Sequence, residues 1–181
     1  MAHLEQKVDS TPVFEGKILR VRVDDVLLEN GTKAKREVIS HPGGVCVLAV
    51  DENDEVLLVR QFRYPFGREL IELPAGKLEY GEDHAACGRR ELEEETGCTA
   101  ETYLYLGPMY PTVAYDEEII HLYYAAGLRP SRQKLDEGEF LDILRIPFSQ
   151  ALQMVLDGQL LDAKTQLALL KADALRRAGK I

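Results

Sequence analysis

In the stretch PAGKLEYGEDHAACGRRELEEETG, residues 74–97, acidic side chains crowd around two arginines. If the second half is helical, Glu91, Glu94 and Glu95 stand at i, i+3 and i+4 and share one face, while Glu93 points away. Like charges so spaced each cost a helix a few tenths of a kcal/mol. Such a face is either solvated or neutralised by something positive. A cluster of oxygen donors alone suits hard divalent cations, Mg²⁺ or Mn²⁺, which keep several waters and bind phosphate groups. Taken without its surroundings, RRELEEE reads first as an ordinary solvated face, because Glu and Arg are good helix formers.

The elements that would position these carboxylates follow from periodicity. KILRVRVDDV and ENGTKAKREVIS flank Asn30-Gly31, a strong hairpin signal, and predict two antiparallel strands that are polar on one side. GGVCVLAV (43–50) and EVLLVRQF (55–62) are Val-rich and apolar, as central strands are. The pattern then changes to one helix over 82–95 ended by Gly97, followed by short strands near 102–107, 118–126 and 140–146. Two C-terminal helices close the chain. The second is expected to bury Ala163, Leu167, Leu170 and Ala174, which recur at helical spacing. No repeat or low-complexity linker divides the 181 residues, which read as α+β with helices packed on a mixed sheet.

Composition narrows the partners. With 31 acidic against 22 basic residues the formal charge is −9, so no global field draws a nucleic-acid backbone. No apolar run reaches the roughly 18 residues of a membrane span, and the start lacks a secretory pattern. The chain therefore reads as cytoplasmic, without nucleic-acid or membrane partners. Cys46, Cys87 and Cys98 lack metal-ligand spacing and are expected to be free and buried; His3, His41, His84 and His121 are too dispersed to suggest a zinc centre.

Gly76 to Cys98 resembles the signature of the Nudix hydrolases. Gly76, Glu82, Arg90, Glu91, Leu92, Glu94, Glu95 and Gly97 match it, and Cys98 takes the closing apolar position. At a usage of about one in fifteen per position, the seven invariant letters would coincide by chance about once in 10⁸ windows. The resemblance implies an α+β Nudix fold, a mixed β-sheet sandwich with flanking helices. It also implies hydrolysis of a nucleoside diphosphate linked to another moiety. Arg90 is expected to orient Glu82 or its neighbours, and Leu92 to anchor the helix in the core.

The likeness extends over about residues 14–175, and LLVRQFRYPFGRELIELPAGK, YPTVAYDEEIIHLYYA and LDEGEF are similar to the ADP-ribose pyrophosphatase branch. That branch implies an extra N-terminal antiparallel hairpin, here residues 1–42, packed or exchanged across a homodimer, and a hydrolase domain over 43–181. It implies Mg²⁺, with Mn²⁺ as substitute, held by Glu91, Glu94, Glu95 and the carbonyl of Ala75. Arg63, Arg36 and Glu118 would contact a small nucleoside diphosphate substrate. For Arg63 and Arg36 an ion pair with an acid such as Glu37 or Glu69 is the structural alternative. Glu137 takes the general-base position, with Glu139 beside it able to support a metal or the loop, and Glu95 completes the catalytic set. Tyr64, Phe66, Tyr110 and Tyr115 are candidates to stack on a purine, and His121 reads as a core or sheet-face histidine.

The branch carries a proline sixteen residues beyond the closing glycine, where this chain has Val113; Pro111 lies two residues early. ADP-ribose is the expected substrate, with GDP-mannose or ADP-glucose as alternatives. A catalytically silent nucleotide-binding module is a further reading, though such modules show a broken signature and this one is intact. Enzymes acting on nucleoside triphosphates, coenzyme A or capped RNA share the metal site but lack the N-terminal hairpin.

Overall fold

Valine, leucine and isoleucine in unbroken runs demand strands covered on both faces, and the most apolar segments of this chain occupy that position. The computed structural model describes residues 3–79 and 81–181, in two units: 1–43 with 110–119, and 44–109 with 120–181.

The first unit is built on β1 (Gln6–Glu15), β2 (Arg20–Leu27) and β3 (Lys33–Ser40), paired antiparallel in the order β1-β2-β3. The Asn30-Gly31 turn forms as expected. Gly31 takes φ 79°, the Leu28 N–H donates to the Thr32 carbonyl at 2.8 Å, and Asn30 accepts from the Thr32 N–H at 3.0 Å. The expected two-stranded hairpin is thus part of a three-stranded meander. β1 escaped pattern reading because nearly all of it is exposed, so no face alternates, and because Pro12 and two register shifts interrupt it. Segment 110–119 joins this unit through a parallel bridge between Ile39 and Asp116.

The second unit holds two sheets. One, formed by β5 (Glu55–Arg63), β6 (Arg68–Glu72) and β10 (Leu141–Pro147), has the order β10-β5-β6; the other, formed by β4 (Gly44–Ala49), β7 (Ala75–Lys77), β8 (Cys98–Met109) and β9 (Ile120–Pro130), has the order β7-β4-β9-β8. β4 runs parallel to β9 and every other pairing is antiparallel, so the sheet is mixed. Side chains alternate along β4 and the residue after it: Cys46, Leu48 and then Val50 pack with the C-terminal helices, whereas Val47 and Ala49 pack with the helix that follows β7. That helix, α1 (His84–Thr96), is joined by α2 (Phe148–Leu156) and α3 (Ala163–Arg177). β6, β7 and the 3-10 turn at Tyr64–Phe66 lie in the stretch around Gly67 and Pro74 that shows no period.

The expected face of α3 is wrong. Thr165, Ala168, Leu169 and Ala172 are buried, while Leu167 and Leu170 are 39% and 42% exposed. Both sets fit a helical stripe, the expected one at i, i+4 and i+7 and the buried one at i, i+3, i+4 and i+7, and the two alanines of the buried set let the helix lie close to the sheet. Thr165 belongs inside because its hydroxyl accepts the Leu73 N–H at 2.9 Å and donates to Asp162, the N-cap of α3, at 2.6 Å. The three cysteines are free and buried as expected. Among the described residues no helix is long and apolar enough to cross a membrane.

The corrected face is testable by urea denaturation. Leu169→Ala should cost about 2–5 kcal/mol, as for a fully buried leucine. Leu167→Ala and Leu170→Ala should each cost under about 1 kcal/mol.

Candidate active site

The site starts with α1 and the short strand against which it lies. Asp83, one residue outside the helix, accepts the Ala85 and Ala86 N–H groups at 3.0 Å each, and Gly97 ends the helix in the left-handed conformation at φ 65°. Leu92 is buried among Val47, Ala49, Leu57 and Ala125 and fixes the rotation of the helix. That rotation carries Glu91, Glu94 and Glu95 along one side. Glu93 instead accepts a hydrogen bond from the Ser131 hydroxyl.

Glu95 is 1% exposed and accepts the Ala75 N–H at 2.9 Å. Gly76 carries Glu91 above its α-carbon, where an added Cβ would fall 1.9 Å from the Glu91 carboxyl carbon. A glycine is needed here for space, since any side chain would evict the carboxylate.

Arg90 gathers the charges. Its Nε and Nη2 reach Glu82 at 3.0 and 3.1 Å, and its Nη1 reaches Glu91 at 2.8 Å and Glu94 at 2.9 Å. The orienting role expected of Arg90 therefore has a geometry. Hydrogen bonding from Arg90 holds Glu82 at a pKa of about 2. Burial pushes Glu95 up to about 8, with Glu139 and Glu91 adding repulsion, and burial likewise raises Glu91.

Among the described residues no three acidic, histidine or cysteine side chains already converge as ligands; Glu91 and Glu94 turn toward Arg90. The donor set nonetheless fits a hard divalent cation. It is all oxygen, it lies on one helical face, and Glu91 rests in a cradle that a Cβ would fill. Glu91, Glu94, Glu95 and the Ala75 backbone are the groups that could hold such an ion.

The remaining candidates are distributed as follows. Arg63, at the end of β5, forms a bidentate pair with buried Glu72 at 2.6 and 2.7 Å, and Lys164 reaches the same carboxylate at 2.6 Å and Asp162 at 2.9 Å. Burial alone would raise the Glu72 pKa, but these two cations hold it at about 2. Arg63 is thus ion-paired, although with neither acid expected. Arg36 pairs with Glu5 at 2.5 and 2.9 Å, and Glu118 lies 3.2 Å from the His41 ring nitrogen. Glu137 is exposed, whereas partly buried Glu139 acts electrostatically on Glu91 and Glu95. Tyr64, Phe66, Tyr110 and Tyr115 are all exposed. His121 stacks on His84 with centroids 3.8 Å apart and meets the Tyr105 hydroxyl at 2.8 Å.

Glu72, Lys164 and Asp162 escaped sequence reading. Asp162 had a signal, since Asp immediately before a helical stretch is a preferred N-cap. Lys164 had none, because a lysine in a first helical turn ordinarily reads as solvated.

Comparison with known proteins agrees with this architecture. The NUDIX domain model matches residues 40–167, and the model described as Nucleoside diphosphate sugar hydrolase N-terminal domain matches residues 5–39. The chain is 40% identical over 172 residues to an ADP-ribose pyrophosphatase of Bacillus subtilis, covering 93% of each protein. It is 39% identical over 166 residues to a methanol dehydrogenase activator of Bacillus methanolicus, covering 91% of this chain and 90% of that one. A solved structure described as an ADP compounds hydrolase superposes with a TM-score of 0.84 at 21% identity, over 98% of this chain and 97% of that one, which shows a shared fold. A metal-type carboxylate helix on a mixed-sheet sandwich defines a class of hydrolases. This chain belongs to the NUDIX domain family.

Gly76→Ala should weaken divalent-ion binding by about tenfold or more, since Glu91 must leave its seat. Gly81→Ala is the control: Gly81, unlike Gly76, has a positive φ, 78°, so alanine there meets backbone strain but open space and no carboxylate. Isothermal titration with Mn²⁺ measures both, and equal effects would contradict the cradle.

Proposed function

We propose that the chain hydrolyses the pyrophosphate of ADP-ribose to AMP and ribose 5-phosphate, with Mg²⁺ as the working ion and Mn²⁺ as a substitute. The observation that carries this reading is the intact carboxylate face of α1 against Gly76, in a chain closely similar over nearly its whole length to an ADP-ribose pyrophosphatase.

Divalent ions at this site would neutralise the pyrophosphate and make an attacking water more acidic. Glu91, Glu94, Glu95 and the Ala75 carbonyl would hold them, and Arg90 would steer Glu91 and Glu94. Water adds to one phosphorus, the bridging phosphorus–oxygen bond breaks, and the proton passes to a carboxylate on the 134–140 loop. Glu137 is the assigned base, with Gly138 at φ 85° giving the loop its turn. The electrostatic reach of Glu139 to Glu91 and Glu95 supports a supporting role beside the ions. Arg63 pairs with Glu72 through Nε and Nη2, so its Nη1 edge suits a phosphate oxygen. Arg36 and Glu118 complete the proposed substrate contacts.

Two observations favour a second reading, another nucleoside diphosphate sugar such as GDP-mannose or ADP-glucose. These are Val113 in place of the branch's proline and the N-terminal match to a nucleoside diphosphate sugar hydrolase domain. In either case the reading is of a cytoplasmic homodimer across which residues 1–42 pack. The exposed apolar side chains of Val8, Val13, Phe14, Ile18 and Leu19 support that assembly.

A Mg²⁺-dependent turnover screen over ADP-ribose, ADP-glucose, GDP-mannose, NADH, diadenosine polyphosphates and 8-oxo-dGTP, with products identified by mass, should rank ADP-ribose first in kcat/KM. A preference of about tenfold for a triphosphate would contradict the reading. Glu94→Gln and Glu95→Gln should lower kcat strongly and weaken Mg²⁺ binding, and Glu93→Gln should do neither. Glu137→Gln should lower kcat about 10²-fold at an unchanged Mg²⁺ requirement; the same loss in Glu139→Gln instead would move the base by two residues. Light scattering should give twice the 20.4 kDa chain mass, and a monomer would contradict the proposed assembly.

A further inference from the structure

Within segment 110–119 the Asp116 N–H donates to the Thr112 carbonyl at 3.2 Å, and Val113 is exposed. The first unit supplies the holding contacts. The Ile39 N–H donates to the Tyr115 carbonyl at 2.7 Å, and the Glu117 N–H donates to the Ile39 carbonyl at 2.9 Å, which forms the isolated parallel bridge between Ile39 of β3 and Asp116.

Side chains then close on the same point. Arg22 of β2 gives Nη2 to Glu117 Oε1 at 2.5 Å and Nη1 to Glu117 Oε2 at 3.1 Å, a bidentate fork. The Ser40 hydroxyl, at the end of β3, donates to Glu117 Oε2 at 2.6 Å. Arg22 is itself fixed from behind, since its Nε donates at 3.2 Å to Asp24, whose side chain is 8% exposed and also receives Ser10 at 2.6 Å.

Glu118 follows directly in the chain: its N–H donates to the Asp116 carboxylate at 2.9 Å and its own carboxylate lies 3.2 Å from the His41 ring nitrogen, so fixing Glu117 fixes the backbone from which Glu118 projects. Glu118 is the residue of this segment that the proposed function assigns to substrate. We infer that Arg22 and Glu117 are positioning residues for substrate binding, forming a clamp that seats segment 110–119 on β3 and orients Glu118. The inference rests on the proposed function for the role of Glu118, while the clamp itself is independent of it.

Glu117→Gln is the variant of choice. It keeps the side-chain length, removes the charge, and leaves Arg22 with buried Asp24, whereas removing Arg22 would strand Asp24 and risk unfolding. Amide hydrogen exchange of Glu117 and Ile39 reads the clamp directly. In Glu117→Gln these two amides should exchange about tenfold faster or more, with the β2–β3 ladder unchanged. KM for ADP-ribose should rise about fivefold or more while kcat stays within about twofold. In a Glu118→Gln background, adding Glu117→Gln should leave KM where Glu118→Gln alone put it; a purely structural role would multiply the two effects.

Unchanged exchange would overturn the clamp. Faster exchange with unchanged KM, or multiplying effects in the double variant, would overturn its role in substrate binding. If the unmodified chain neither binds nor hydrolyses ADP-ribose, the proposed function fails and the substrate role with it, and the exchange measurement still decides whether Arg22 and Glu117 hold the segment.

Discussion

Three carboxylates on one helical face repel one another, and the surroundings of α1 are arranged around that repulsion. Arg90 supplies the one cation on the helix that can touch Glu82, Glu91 and Glu94 together. Glu95 is beyond this relief: it is buried, accepts a backbone N–H from Ala75, and is pushed up to about 8 by burial. A buried carboxylate in that state is costly when ionised. Its retention makes sense where a cation of higher charge takes it up, which is the role proposed for the divalent ion.

Holding such a face in register requires a rigid support, and the support is local. β7 is only three residues long, yet it presents Ala75 to Glu95 and Gly76 to Glu91. It is pinned by β4, whose residues are buried on both faces, and Leu92 locks α1 onto that same strand. Behind β6, Glu72 ties Arg63 of β5 to Lys164 of α3, so the last helix takes part in placing a residue proposed for substrate. Glu72 has a folded pKa of about 2, below its unfolded value. It therefore adds stability above the ordinary carboxylate range that is lost as pH falls toward 2.

How much of this could be read from the residues follows from how each feature is encoded. α1 was legible almost to its ends because its chemistry is written in local spacing, with Gly97 as its stop, although the Asp83 cap starts it two residues later than the 82 expected. The buried strands β4 and β5 were legible as apolar runs. The Asn30-Gly31 turn was legible because its backbone requires those residues. β1 was not, since an exposed strand has no face to alternate. The face of α3 was misread because Leu167 and Leu170 outweigh Ala168 and Ala172 in hydrophobicity, while the sheet selects small residues for close approach. The partners of Arg63 and Arg36, Glu72 and Glu5, are long-range pairings that no local pattern encodes.

The central claim, that the crowded carboxylates of α1 answer to a divalent cation, is tested most directly by counting protons. Glu95 must ionise to serve as a ligand, so binding near pH 7 should release a proton, and affinity should rise with pH until about 8, where Glu95 is already ionised. Isothermal titration of Mg²⁺ in buffers of different ionisation enthalpy measures that release. The account predicts net proton release on binding near pH 7, reduced in Glu95→Gln. Binding without proton release, or release unchanged in Glu95→Gln, would contradict it.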